Sequence, residues 1–322
     1  MPKIVIPDDF PPQIKGTRAL EDLKNYGDVT LYNTKASSQD ELIQRMKEAE
    51  VVINVRAYSK FTEQVFKSCP SLKLLSILGT GTDNVDLEAA TKYNILVTNT
   101  PGFAAVAVAE HTLALMLAVA RRICLIDKEV KEGSWPRGLM MQLHGKTLGL
   151  IGLGAIGGQL ARISRGIGMK VISWTFHPSE GRAKEFGVEF VSLEDLLKRA
   201  DVISIHLRLT PQTKNLIGEK QFSLMKPTAI IVNTARGPII DQKALVDALT
   251  RGKIAGAGLD VFEKEPIPPD DPLLKLNNVV LTPHNAGMTP ETIEKGARMA
   301  VDNIINYLKG SPTYVVNKEL IR

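Results

Sequence analysis

The chain of 322 residues predicts an α/β protein built on parallel sheets and divided into about two domains. Three observations carry this expectation. Short apolar runs alternate with helix-like segments from end to end, the pattern of strands joined by helical crossovers. A GxGxxG sequence over 152–157 stands directly between an apolar run and a helical one. The length itself corresponds to two domains of roughly 100–200 residues each.

The elements follow in order. Strands are expected at 3–6, 29–32, 51–55, 72–78 and 95–98, each a short run rich in branched apolar residues. A helix over 38–49 lies among them, with Ser38 as its cap. Asn99-Thr100-Pro101-Gly102 is a breaker cluster. One long apolar helix is expected beyond it, over about 104–130. Its densest stretch, 112–120, is closed by Arg121-Arg122 and falls short of the roughly 20 residues a membrane span needs. A second breaker cluster over 132–138 opens a second series, with strands at 147–151, 170–175, 202–206, 229–233, 255–260 and 279–282. The tail over 290–308 reads as one amphipathic helix capped at or near Thr289. A terminal helix after a complete second series can pack back on the first domain. The expected domains are therefore 1–98 with 286–322, and 99–285.

Composition excludes several classes. With 44% apolar and 23% charged residues, the chain is neither disordered nor a polytopic membrane protein. Its 40 lysines and arginines exceed 35 aspartates and glutamates by five, and the surplus is spread along the chain. That argues for attraction of anionic small molecules and against a nucleic-acid partner. Cys69 and Cys124 form no CxxC, and with the scattered histidines they make no metal spacing. No metal is expected. The N-terminal residues hold no signal-like apolar stretch, so a cytoplasmic setting without membrane contact is expected.

The glycine motif has a physical reading. Gly152 permits a tight turn, Gly154 lets backbone approach a pyrophosphate, and Gly157 lets helix and strand pack closely. Ala155 and Ile156 begin the helix whose N–H groups meet the negative charge. The next strand should end in an acidic residue if the ribose of NAD is held in the usual way. Thr175 stands there instead, followed by Phe176 and His177. NAD and NADP therefore both remain open, with His177, Arg182 or Lys184 as possible sources of positive charge.

Three later strands end in polar residues: Arg236 after the first, Asp260 and then Glu265 after the second, His284 after the third. Singly, each is more often structural. Together beside a nicotinamide they suit the oxidation of a 2-hydroxy acid. Arginine grips a carboxylate in two places and polarises a carbonyl. Histidine exchanges the hydroxyl proton near neutral pH, and a carboxylate behind it fixes its tautomer.

At this point the chain resembles the D-isomer-specific 2-hydroxyacid dehydrogenase family along essentially its whole length. The resemblance rests on the glycine motif, His206-Leu207-Arg208-Leu209-Thr210-Pro211, Asn233-Thr234-Ala235-Arg236-Gly237, Gly258-Leu259-Asp260-Val261-Phe262, Glu265-Pro266 and Thr282-Pro283-His284. It implies two Rossmann-like domains: a doubly wound parallel-sheet nucleotide domain and a flavodoxin-like substrate domain. It implies that Arg236 binds substrate, His284 is the acid–base, Glu265 its partner, and Asp260 a holder of the nicotinamide carboxamide. The loop 79–86 resembles the family's substrate loop, where the N–H groups of Thr80 and Gly81 would hold a carboxylate. Arg56 sits where relatives often carry a substrate-facing arginine. Arg208 departs from a common proline, and Thr175 from an acidic residue.

The expected function is an NAD(P)-dependent 2-hydroxyacid dehydrogenase working as a 2-oxoacid reductase. The alternatives are a 3-phosphoglycerate dehydrogenase of the short type, without a regulatory domain, and, from another class, a dinucleotide-binding corepressor-like protein. The apolar helix over 104–120 and the arm through Trp135 motivate a homodimer.

Overall fold

The alternation resolves into two parallel sheets, each in its own unit. The computed structural model describes residues 1–55 and 58–321. Arg56 lies outside the described residues.

The first unit comprises Met1–Ala104 and Met288–Arg322. Its elements run β1 (Lys3–Ile6), α1 (Arg18–Leu23), β2 (Asp28–Leu31), α2 (Gln39–Met46), β3 (Val51–Asn54), α3 (Glu63–Ser68), β4 (Leu74–Ile77), α4 (Leu87–Lys92) and β5 (Leu96–Thr98). The strand order is β2-β1-β3-β4-β5, all parallel. This is the flavodoxin-like order. β3 and β4 are buried on both faces, as continuous apolar strands in a covered parallel sheet must be. One face packs on α1 and on the closing helix Pro290–Leu308, through Ala297, Ala300, Val301 and Ile304. The other packs on α2, α3 and α4. Ser38 caps α2 by accepting from the Glu41 N–H, and Thr289 caps the closing helix by accepting from the Thr292 N–H.

The second unit is Ala105–Gly287. It begins with α5 (Ala105–Ala120) and α6 (Ile123–Lys131). The single helix expected over 104–130 is thus broken. Arg122 has a left-handed backbone, φ +50°, which no α-helix continues through. α5 is apolar around most of its circumference and is buried at eight positions, whereas α6 buries none. Then follow β6 (Thr147–Ile151), α7 (Ala155–Gly166), β7 (Lys170–Trp174), α8 (Glu180–Phe186), β8 (Glu189–Phe190), α9 (Leu193–Arg199), β9 (Val202–Ile205), α10 (Glu219–Leu224), β10 (Ile230–Asn233), α11 (Gln242–Thr250), β11 (Gly256–Leu259) and β12 (Val279–Leu281). The closing helix of the first unit is α12.

The second sheet runs β12-β11-β10-β9-β6-β7-β8, again all parallel and doubly wound. β8 is a two-residue edge strand that the sequence pattern did not reveal. Most other strands begin or end one or more residues inside their expected limits. Residues such as Thr175 and His206 therefore stand just past the sheet.

Candidate active site

β6 and β9 are neighbours, and the chain winds outward from them in opposite directions. Open parallel sheets bind ligands in the crevice at the carboxyl ends of such a pair. The glycine turn after β6 enters it. Gly152 has φ +103°, and a Cβ there would lie 2.6 Å from the His206 carbonyl oxygen. A Cβ on Gly157 would collide with the Gly152 carbonyl oxygen. Gly154, the N-cap of α7, differs: a Cβ there would enter open space. Two of the glycines are thus required by the chain's own packing, and the third leaves the start of a 12-residue helix clear. The first N–H groups of that helix, at Ala155 and Ile156, have no acceptor within it, which suits a pyrophosphate.

His206 follows β9, with its ring carbon Cδ2 3.8 Å from where a Gly157 Cβ would lie. Its Nε2 pairs with Ser204 Oγ at 2.8 Å, but its buried Nδ1 has no hydrogen-bond partner. Burial pushes its pKa down to about 3, so the ring is neutral. Buried polar atoms are nearly always paired, and the ring that carries this orphan sits beside the glycine turn. Thr175, at the end of β7, is half-buried, His177 is exposed, and no carboxylate stands over 175–179. These residues fit a nicotinamide dinucleotide. The helix start is clear for its pyrophosphate, one histidine nitrogen is left unpartnered, and nothing acidic in that segment would repel a 2′-phosphate. His206 was not among the expected site residues, although its position at a strand end on the winding reversal would have marked it.

Arg236, Glu265 and His284 stand on the loops after β10, β11 and β12. The His284 Nδ1 and Glu265 Oε2 are 2.7 Å apart. Glu265 Oε1 accepts from the Phe262 N–H at 3.1 Å. Burial opposes ionisation of Glu265. Even so, the bond to His284, its charge, the Phe262 N–H and the Arg236 guanidinium hold the carboxyl below its ordinary range. Arg236 is half-buried, and its Nη1 donates to the Ala235 carbonyl at 2.9 Å. Asn233 shapes that turn, accepting from the Ala235 N–H and donating to the Arg236 carbonyl, both at 2.9 Å. Gly237 has no room for a Cβ because the Phe262 backbone lies against it. That contact brings the Arg236 turn onto the loop carrying Glu265.

Asp260 has a task that spacing did not reveal. It is 1% exposed and accepts from Thr282 Oγ1 at 2.6 Å and from the N–H groups of Asn285 and Ala286, each at 3.0 Å. Those contacts bracket His284, whose φ of +53° is an uncommon conformation for a histidine. His111 on α5 adds a 2.9 Å bond from Nε2 to Thr282 Oγ1. The carboxylate thus braces the turn that presents the histidine.

In the first unit, Thr80 and Gly81 follow β4. Thr100 Oγ1 accepts from the Gly79 N–H at 2.8 Å, and Asn99 Nδ2 donates to the Thr80 carbonyl at 2.9 Å. Both residues are partly exposed. Among the described residues no group of His, Cys, Asp and Glu could hold a metal ion, and no helix is long and apolar enough to cross a membrane.

Comparison with known proteins points to one family. Residues 113–286 match the model of the D-isomer specific 2-hydroxyacid dehydrogenase, NAD binding domain. A glyoxylate reductase of Korarchaeum cryptofilum is 41% identical over 329 aligned residues, covering 100% of this chain and 97% of that one. The structure of an acyclic imino acid reductase (Bsp5) in complex with NADPH and D-Arg superposes with a TM-score of 0.89, at 33% identity, over 98% of this chain and 99% of that one. D-lactate dehydrogenase from Aquifex aeolicus, complexed with NAD and lactic acid, gives 0.83 at 33% identity over 96% of each chain.

Proposed function

The chain belongs to the D-isomer specific 2-hydroxyacid dehydrogenase family, and from that premise we propose that it reduces a small 2-oxo acid with Arg236, Glu265 and His284 as its working residues. It is an NAD(P)-dependent oxidoreductase of 2-hydroxy acids. The observation that carries the assignment of residues is the 2.7 Å pair of His284 with a Glu265 carboxylate held ionised.

When bound, the nicotinamide supplies the hydride that the 2-oxo carbon accepts. Arg236 binds the substrate's carboxylate and carbonyl oxygen and stabilises the charge that grows on that oxygen. His284 gives it a proton through Nε2, because its Nδ1 is engaged by Glu265. Glu265 holds the ring in that tautomer and balances the imidazolium. Gly152, Gly154, Ala155, Ile156 and Gly157 receive the pyrophosphate, and Thr175 and His177 lie on the ribose side. Asp260 keeps lone pairs beyond those its braces use, and one can accept from the carboxamide. Thr80 and Gly81 are proposed carboxylate ligands. A homodimer is proposed from the exposed apolar residues of α6 and the arm after it. A cytoplasmic setting is proposed from Cys69 and Cys124, which stand unpaired.

The test is steady-state reduction of glyoxylate, hydroxypyruvate, 3-phosphohydroxypyruvate, pyruvate and phenylpyruvate with NADH and NADPH. Turnover of at least one acid is expected, with a loss of about 10²- to 10⁴-fold in His284→Ala. Equal activity of the two proteins would remove His284 from this role.

A further inference from the structure

One cation at the dinucleotide crevice has no part in the chemistry above. Arg208 is the third residue past β9. The two residues before it lie on the glycine turn. The His206 carbonyl oxygen and Leu207 Cδ2 are 2.6 and 3.0 Å from the Cβ position of Gly152. The backbone of Arg208 is fixed, since the buried Thr213 donates from Oγ1 to its carbonyl at 2.7 Å. The side chain is not fixed. It is exposed, and among the described residues no hydrogen bond or ion pair ties its guanidinium.

The neighbouring edge of the crevice lacks what a site for NAD places there. Strands β9 and β7 flank β6, so their ends are two inter-strand spacings apart, about 10 Å. An arginine side chain covers most of that distance. At the end of β7, a carboxylate would bind the ribose hydroxyls and repel a 2′-phosphate. Thr175 offers a hydroxyl in its place, and His177 lies two residues on. The nearest acidic side chain in sequence is Glu180, in the first turn of α8 and exposed, with Arg182 and Lys184 on the same helix. A phosphate reaching this corner meets cations and a hydroxyl.

We propose that Arg208 grips the 2′-phosphate of NADP(H) and makes this enzyme select the phosphorylated dinucleotide. The inference rests on the dinucleotide reading of the crevice. Arginine is suited to it, because its planar fork meets phosphate oxygens in pairs and keeps its charge at any working pH. An Arg208 that instead lay flat on the adenine would strengthen NAD and NADP binding alike, and that difference is measurable.

The experiment is calorimetric titration of the full chain with adenosine 2′,5′-bisphosphate, 5′-AMP, NADP⁺ and NAD⁺, in wild type, Arg208→Met and Arg208→Lys. Wild type should bind the bisphosphate about 10- to 100-fold more tightly than 5′-AMP, as expected of a charge-assisted phosphate contact. Arg208→Met should bring that ratio to about threefold or less with 5′-AMP affinity unchanged, while Arg208→Lys retains most of it. Circular dichroism should show both variants folded, since the side chain is exposed. Three results overturn the proposal while the dinucleotide site stands. They are no preference in wild type, a preference that survives in Arg208→Met, and an equal loss for the bisphosphate and 5′-AMP. Binding of neither NAD⁺ nor NADP⁺ to wild type would overturn the dinucleotide reading and the proposal together.

Discussion

At the scale of single residues, the proposed chemistry depends on one carboxylate being ionised next to one imidazole. Glu265 is held below its ordinary range, so the ionised form contributes stability above its unfolded pKa, and that contribution is lost as pH falls through the lower folded value. The ionised form is also what steadies a protonated His284 across their 2.7 Å contact. Glu265→Gln should therefore lower kcat for reduction by about 10²-fold and move the alkaline limb of the activity profile to lower pH. A pH–rate profile with an unmoved limb would contradict the coupling. Arg236, Glu265 and His284 could be singled out in the sequence because each lies past a strand-like run, although Glu265 shares its loop with Glu263 and Lys264. The bracing by Asp260 was not, since it is made to the backbone N–H groups of Asn285 and Ala286, which carry no side-chain signature. His206 was overlooked although it stands at a strand end; the unpartnered state of its buried Nδ1, by contrast, is a property of the fold.

At the scale of elements, apolar periodicity located the strands well and their ends less well. Thr175 and His206 are compatible with a strand, but the ladder stops before them because no partner residue continues it. Apolarity also carried the expected helix of 104–130 through Arg121-Arg122, where a left-handed turn divides it. The division separates two functions. α5 spends its apolar surface inside the second unit, so it is α6 and the arm after it that expose Ile123, Val130, Trp135, Leu139 and Met140. Trp135 is 75% exposed and Leu139 fully so. An apolar series of this size on a water-facing element marks an interaction surface, and a second copy of the chain is its proposed occupant. Sedimentation velocity at micromolar concentration should show a dimer for wild type and a monomer for Trp135→Glu combined with Leu139→Glu. A wild-type monomer would contradict it.

At the scale of the whole molecule, the two sheets share a construction and differ in what their strand ends carry. The order β2-β1-β3-β4-β5 and the order β12-β11-β10-β9-β6-β7-β8 are both built of parallel strands, which crossover connections must join. The second sheet places the glycine turn at its winding reversal and the proposed acid–base residues on the side of β10, β11 and β12. Of the surplus of five positive charges, the proposals above draw on two named cations, Arg236 for the substrate and Arg208 for the dinucleotide. Alternation of apolar runs made the fold class readable from the sequence. Strand order was less so, because it is decided by which edges pair in space. The central claim is direct transfer of a hydride to the 2-oxo carbon at this site. Its most direct measurement is mass spectrometry of the hydroxy acid formed from glyoxylate or hydroxypyruvate with nicotinamide cofactor deuterated stereospecifically, in separate reactions, at each C4 position. One of the two labels should appear as a single deuteron on C2 of the product, while reaction in D₂O with unlabelled cofactor places none there. Product whose C2 hydrogen comes from solvent, or no product with either cofactor, would contradict the account.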